Sequence, residues 1–388
     1  MRLPERVTFG IVGLGGIAQA QHLPNLKRCA RARLKTLCDL RAESVRDAQA
    51  KYGVPQGTTD FAALLSDPEI GAVVVATQED AQARLTVQAL RAGKHVYVEK
   101  PLARTVAECE EVARAQEETG RSVVVGFNRR LAPALLKVKE VLAKAGGARH
   151  LHYRIADNAG DGGRQRVIRE LCHIFDLLRC LTASEAVTVY CAESRADEEA
   201  YVLKFASGAV ASITASGYVT RDLPKERLEV FTQQGAVTME DFVEVRTYGQ
   251  RDFDHVYRFA GHSHPDREFT HKYLLQVGGA EALHMLRRMA WELGERHARS
   301  GPDDESPDRE ELARYIPHVK GTNPRWNYMV DKGWQGLLDY FAACILDGRR
   351  PELAASARDG LAASRLAHAA IASRESGQAM TVDGEGGK

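Results

Sequence analysis

The most constraining feature lies near the N-terminus, where the short apolar run Val7-Thr8-Phe9-Gly10-Ile11-Val12 leads straight into Gly13-Leu14-Gly15-Gly16-Ile17-Ala18. An apolar run of that length suits a strand buried on both faces of a parallel sheet. The loop after it has the spacing G-x-G-x-x-A. Gly13 permits the tight turn, Gly15 lets the backbone approach a pyrophosphate, and the small Ala18 lets the following helix pack close to the strand. The helix start, with Gly16 and Ile17, offers unpaired N–H groups and a positive dipole end to the phosphates. Glycine clusters also serve ordinary turns, so the reading needs its context.

That context is an alternation of strands and helices. A second strand, 34–38, ends in Asp39, which lies 21 residues beyond Ala18 and fits the offset of the ribose-binding acid in dinucleotide folds. A carboxylate there accepts hydrogen bonds from both ribose hydroxyls and repels a 2′-phosphate, which favours NAD. Arg41 can pair with such a phosphate and keeps NADP open. The bland alternative is that Asp39 caps the helix starting near Glu43. Residues 71–77 then read as a buried strand, 80–92 as a helix and 95–98 as the next strand. Repeated units of this kind imply parallel strands, right-handed crossovers and a ligand crevice at the strand C-termini. Thr77 and Glu99-Lys100 sit at those ends.

Charge and composition narrow the function. The 53 Lys plus Arg against 52 Asp plus Glu argue against a nucleic-acid partner, whose binding rests on excess cations meeting phosphates. No apolar run approaches the roughly 18 residues that cross a bilayer, and the first residues lack a secretory apolar stretch, so a cytoplasmic protein is expected. Seven cysteines, scattered and without a Cys-x-x-Cys pair, suggest neither a disulfide framework nor a zinc site.

At Glu99-Lys100-Pro101 the pattern becomes more specific. With the glycine loop, Thr77, and Gly126-Phe127-Asn128-Arg129-Arg130 after a strand at 122–125, the chain resembles the glucose-fructose oxidoreductase, inositol dehydrogenase and MocA family over nearly its whole length. In that family the lysine of the triplet lies beside the nicotinamide and the reacting carbon of a sugar or cyclitol, which by position implies Lys100. Pro101 confines Lys100 to extended geometry and so helps fix its direction. Removing hydride from an alcohol carbon requires the hydroxyl proton to leave with it, so a base or relay is needed. A lysine near pKa ~10.4 is about three units too basic for that task at neutral pH unless NAD's positive ring and burial lower it, so Lys100 either shares the proton work with a histidine or serves chiefly as a hydrogen-bonding cation beside it. The alternative is a solvated lysine paired with Glu99. Asn128 joins the cofactor-binding candidates and Arg129 the substrate-binding ones.

Beyond residue 126 the pattern changes to strands with period-two alternation, at 149–156, 186–193, 201–206, 209–218, 228–232, 236–240, 242–248 and 256–260. The fold class is therefore α/β: a doubly wound parallel Rossmann sheet over 1–126, then an α+β part over 127–388 with a large, mainly antiparallel open sheet covered on one face by helices. In the resembling family the other sheet face often mediates oligomers, and a homo-oligomer, dimer or tetramer, is expected. Arg169-Glu170-Leu171-Cys172-His173-Ile174-Phe175-Asp176 resembles the family's second catalytic segment, whose histidine meets the lysine over the substrate. An Asp usually stands four positions before that His; here Arg169 does, with Glu170 three before, closer to a branch with a Gly-Glu-x-Cys-His pattern. On a regular helix Glu170, His173 and Asp176 share a face, so either carboxylate can orient the imidazole. The bland reading is a buried histidine satisfied by a carbonyl.

Just upstream, Asn158, Arg164, Arg166 and Arg169 belong to a glycine-rich segment whose planar donors suit a carboxylate, sulfonate or phosphate on a sugar; a wet surface loop is the alternative. Residues 262–330 read as a helical insertion. Arg325 and Trp326 within it can grip or stack on a sugar, or serve an interface. His262, His264 and His271 match no metal-ligand spacing, so no metal is expected. The sequence thus points to a small carbohydrate substrate and NAD chemistry. Two rivals remain: a glycosidase that keeps NAD bound, oxidises transiently, eliminates the aglycone, adds water and returns the hydride; and a non-catalytic NAD-binding sensor.

Overall fold

The computed structural model describes residues 5–156, 166–195, 198–217, 223–261, 270–299 and 330–382. Six parallel strands, β1 (Val7–Val12), β2 (Ala32–Cys38), β3 (Gln56–Thr58), β4 (Ala72–Val75), β5 (His95–Val98) and β6 (Val123–Val125), form one sheet in the order β3-β2-β1-β4-β5-β6. The order reverses between β1 and β4, so the crevice at their C-terminal ends is the switch point where doubly wound sheets hold ligands. Each of the central strands is buried along nearly its whole length, as expected of a sheet covered on both faces. Helices α1 (Leu23–Arg28), α2 (Ala42–Tyr52), α3 (Phe61–Ser66), α4 (Glu79–Arg91) and α5 (Val106–Thr119) supply that cover. α5 is opened by a capping box in which Thr105 and Glu108 satisfy each other's backbone N–H.

A short 3₁₀ turn, Asn128–Leu131, and α6 (Pro133–Lys144) lead into a second sheet of nine strands: β7 (His150–Ala156), β8 (Ala186–Arg195), β9 (Glu198–Phe205), β10 (Val210–Ser216), β11 (Glu226–Phe231), β12 (Ala236–Glu240), β13 (Glu244–Tyr248), β14 (Val256–Arg258) and β15 (Met380–Thr381). Its order is β14-β13-β12-β11-β7-β10-β9-β8-β15. All pairings are antiparallel except β7 with β10, so the expected antiparallel sheet carries one parallel joint. The edge strands β3 and β15 were not anticipated; at three and two residues they are too short to show a period. One sheet face packs on α6, on α7 (Cys172–Thr182) and on α10 (Ala357–Ser376). Between β14 and the C-terminal helices lies α8 (Thr270–Arg299), whose Leu275 and Leu283 pack with Val243 and Val330.

The last helices do not stay with the second sheet. α9 (Trp334–Leu346) lays Leu337, Leu338 and Phe341 on the first sheet, with the Phe341 ring 6.4 Å from Phe9 and 6.5 Å from Tyr97, edge to face. Near the start of α10, Ala357 and Leu361 pack with Val125 and Val112, and Ala355 accepts a hydrogen bond from the Val125 N–H at 2.8 Å. The chain therefore ties both sheets together from its C-terminal end. Removing the Phe341 ring strips the first sheet of part of this cover: Phe341→Ala should cost about 3–5 kcal/mol, read as a lower urea midpoint in equilibrium unfolding, whereas an unchanged midpoint would show that α9 is dispensable to the first sheet.

Candidate active site

The glycine loop follows β1. Gly13 has φ +90°, and a Cβ there would stand 2.3 Å from the Ala76 carbonyl oxygen, so no L side chain fits. At Gly15 and Gly16, by contrast, an added Cβ would meet nothing within 4 Å: the backbone of the loop borders open space. Ala18 is fully buried where the helix meets the strand, and Ile17 is half-buried. The helix begins with a π-turn over Ala18–His22 before α1. Asp39, at the end of β2, accepts from the Leu14 N–H at 2.9 Å and from the Arg41 N–H at 3.0 Å. Its carboxylate is thus fixed beside the loop, while the Arg41 side chain is 74% exposed. An open glycine cradle, an unencumbered helix start and a carboxylate at the second strand fit the pyrophosphate and ribose of a dinucleotide. Thr77 follows β4 at the mouth of the same crevice, its hydroxyl bonded to the Gln78 carbonyl at 3.2 Å. Gly13→Ala should raise the Kd for NAD by about tenfold or more; a titration giving wild-type affinity would contradict the assigned loop geometry.

At the C-terminal end of β5, Glu99 is only 7% exposed. One oxygen bonds His22 Nε2 at 2.7 Å and the other accepts from the Lys100 N–H at 3.1 Å. Glu99 therefore braces the backbone that carries Lys100. The Lys100 ammonium spans to the second half of the chain: it donates to the Arg169 carbonyl at 2.7 Å and lies 3.4 Å from Glu170 Oε1. Burial, the largest single influence, pulls the Lys100 pKa down, but Glu170 together with Cys172 and Glu99 outweighs it and holds the pKa above the ordinary lysine value. Lys100 is a cation at neutral pH.

His173 is 6% exposed, with the edge of the Phe127 ring 5.7 Å away. Burial, then the nearby Arg129 and Lys100 cations, push its pKa well below the ordinary histidine value, so the ring is neutral. Its Nδ1 is buried without a hydrogen-bond partner among the described residues. The expected orienting carboxylates are elsewhere. Glu170 pairs with Lys100, because the turn Val167–Leu171 is π-helical and a spacing of three there no longer stacks side chains as on an α-helix. Asp176 has no exposed surface and takes a two-pronged bond from Arg130, at 2.8 and 2.6 Å, with Arg179 at 3.7 Å. It anchors α7 to the segment after β6 and, through Arg130, to Asp359 at the start of α10. Asp176→Ala would leave a buried guanidinium without its main carboxylate, so it should lower stability by about 3–5 kcal/mol in urea unfolding while leaving the pH profile of any turnover unmoved; a displaced profile would return Asp176 to the catalytic group.

Two arginines are also relocated. Arg166 is 2% exposed, with Nη1 3.6 Å from the Glu199 carboxylate, and lies under the second sheet, not in a loop over a substrate. Arg169 grips Glu79, at the start of α4, through two bonds of 3.0 and 2.9 Å. Asn128 is buried, donates to the Lys332 carbonyl at 2.7 Å, and leaves its Oδ1 without a partner among the described residues. Asn158, Arg164, Arg325, Trp326, His262 and His264 lie outside the described residues, as does the side chain of His271.

Residues not singled out from the sequence complete the site. Glu226, with no exposed surface, receives Arg129 at 2.9 Å on each oxygen, Lys332 at 2.5 Å and the Tyr153 hydroxyl at 2.5 Å. A signal existed: β11 alternates inward at Glu226, Leu228 and Val230, so an acid occupies a core phase. Lys332 offered no such pattern, since it precedes α9 outside any periodic run.

Residues 7–127 match the family model described as an oxidoreductase family with an NAD-binding Rossmann fold. A myo-inositol 2-dehydrogenase from Thermotoga maritima is 30% identical over 258 residues, 61% of this chain and 76% of its own. Among solved structures, an oxidoreductase domain protein from Kribbella flavida superimposes with a TM-score of 0.72 at 22% identity, covering 98% of this chain and all of its own. A scyllo-inositol dehydrogenase from Lactobacillus casei, solved with NAD(H) and scyllo-inositol, gives 0.68 at 16% identity over 97% of this chain and 99% of its own. The chain is an NAD-binding oxidoreductase and belongs to the glucose-fructose oxidoreductase, inositol dehydrogenase and MocA family. Among the described residues no helix is long and apolar enough to cross a membrane.

Proposed function

We propose that the protein is an NAD-dependent dehydrogenase acting on a secondary alcohol of a sugar, a sugar derivative or a cyclitol. The observation that carries this reading is the meeting of Lys100, from the end of β5, with the helical segment that holds His173, at the mouth of the crevice bordered by the glycine loop. Inositol dehydrogenases among the relatives support a polyhydroxylated substrate. Bound NAD supplies a nicotinamide that takes up or returns hydride. The chain's own residues do the remaining work. The Lys100 ammonium donates to the carbinol oxygen and stabilises the negative charge that builds there as the proton leaves. His173, neutral and with a free ring nitrogen, accepts the proton in the oxidative direction. Glu99 and His22 fix the Lys100 backbone, and Glu170 keeps the amine charged. The carboxylate of Asp39, held beside the loop, favours NAD over a 2′-phosphorylated cofactor.

The reading divides the labour between a cofactor-binding part, 1–126, and a substrate-binding part, 127–388. It also assigns the uncovered face of the second sheet, where Tyr190, Val202, Phe231 and Tyr248 are exposed, to a second copy of the chain. The glycosidase alternative drew on the Arg169-Glu170 segment and the arginine loop as fitting an anionic glycoside; Arg166 and Arg169 are engaged by Glu199 and Glu79, and Arg164 lies outside the described residues.

The test is an incubation of purified protein and NAD with free sugars, cyclitols and aryl glycosides, following NADH absorbance and aglycone release together. Net NADH formation is expected. Aglycone release without NADH would identify the glycosidase, and NAD binding with neither would identify a sensor. Lys100→Ala should lower kcat by about a thousandfold while keeping the NAD Kd within a few fold; full activity in that variant would refute the role given to Lys100.

A further inference from the structure

Beside His173 two buried cations share one carboxylate. Arg129 and Lys332 are 5% and 3% exposed, and both bind the same carboxylate, Glu226. The third partner, Tyr153, brings no charge, since burial raises its pKa well above the usual phenol value and keeps the hydroxyl protonated. Arg129 cannot shed its proton. Lys100 and Glu170 offset each other. Around Glu226 two cations thus share one carboxylate in a region removed from water, a costly arrangement unless an anion completes it or Lys332 gives up its proton.

Lys332 is also held in place. Its carbonyl accepts from Asn128 Nδ2 at 2.7 Å. The next residue, Gly333, has φ +88°, and a Cβ there would stand 2.4 Å from the Asn128 carbonyl oxygen, so the turn fits only a glycine pressed against the segment that follows β6. The ammonium lies 5.2 Å from the Phe242 ring centre and close enough to His173 to depress its pKa. With one N–H on Glu226, the fixed ammonium carries two further donors.

We propose that the substrate carries a carboxylate on its polyhydroxylated skeleton and that Lys332, backed by Arg129, is the residue that selects it. This deepens the dehydrogenase reading and rests on it for the site, but not on the arginine-bearing loop. The pH dependence follows from the groups that face Lys332: Glu226 of β11, Tyr153 of β7, Arg129 after β6, His173 of α7 and the neighbouring Lys225. Burial, then the Lys225 and Arg129 cations, outweigh Glu226 and bring Lys332 down to about 8. The ammonium is therefore present below that pH and lost above it, so discrimination for an anion is strong at pH 7 and fades toward pH 9.

The experiment titrates the fluorescence of the protein–NADH complex with three matched pairs: glucose and glucuronate, galactose and galacturonate, sorbitol and gluconate. At least one carboxylate should bind about tenfold more tightly than its neutral partner at pH 7, with the ratio falling several-fold at pH 9. Lys332→Met should bring the ratio near one, and Lys332→Arg should keep most of it. Equal affinity within every pair, or a preference intact in Lys332→Met, overturns the proposal. Should Lys332→Met fail to fold, a wild-type preference unchanged between pH 7 and pH 9 overturns it as well. NADH absorbance with the same pairs and NAD separates the two claims: a charge preference without NADH formation supports the carboxylate site and removes the dehydrogenase, while turnover blind to charge does the reverse.

Discussion

The contact on which the site depends is the one between the Lys100 ammonium and the Arg169 carbonyl, 2.7 Å apart and 69 residues apart in sequence. The Arg169 carbonyl lies within the π-turn Val167–Leu171 and also accepts from the Cys172 thiol at 3.5 Å. The bond from Lys100 joins the end of β5 in the first sheet to the segment that leads into α7 beneath the second. With Glu170 alongside, it holds the amine charged and close to His173. Had Lys100 pointed to water, its ammonium would be one more solvated charge with no hold on a reacting carbon.

Around this joint the chain builds two kinds of support. Buried polar pairs fix the backbone: the Glu99–His22 hydrogen bond beneath Lys100, and the ion pairs of Asp176 with Arg130 beneath His173 and of Glu226 with Arg129 and Lys332 beside it. Such pairs add little net stability, but each penalises any arrangement that separates its partners. The C-terminal helices supply the second support. α9 and α10 return to the first sheet, and Asp359 at the start of α10 touches Arg130, so the residue that holds Asp176 is itself held from the far end of the chain.

The fold was legible because each sheet shows its own period. Continuous apolar runs such as Ala72–Val75 marked the buried parallel strands, and alternation marked the open sheet. The cofactor loop was legible for the same reason: strand, glycine turn and Asp39 occur in a fixed order. The carboxylate partners were not. Glu170 and Asp176 were placed by assuming regular helical spacing through a stretch that is partly π-helical, and sequence spacing cannot show that Arg130, 46 residues before Asp176, returns to claim it. Arg166 and Arg169 looked like free donors because their acceptors, Glu199 and Glu79, lie in other elements. Lys332 was invisible for a similar reason: its importance comes from sharing Glu226, a relation of space alone.

The dehydrogenase chemistry requires an ammonium and a neutral imidazole from different parts of the chain to converge on one carbinol. A crystal structure with NAD and an unreactive substrate analogue measures this most directly. Lys100 Nζ and one ring nitrogen of His173 should both lie within about 3.2 Å of the same hydroxyl oxygen, with the carbon that bears it facing C4 of the nicotinamide. A complex in which Lys100 keeps only its bonds to Arg169 and Glu170, with that hydroxyl out of reach of both nitrogens, would contradict it.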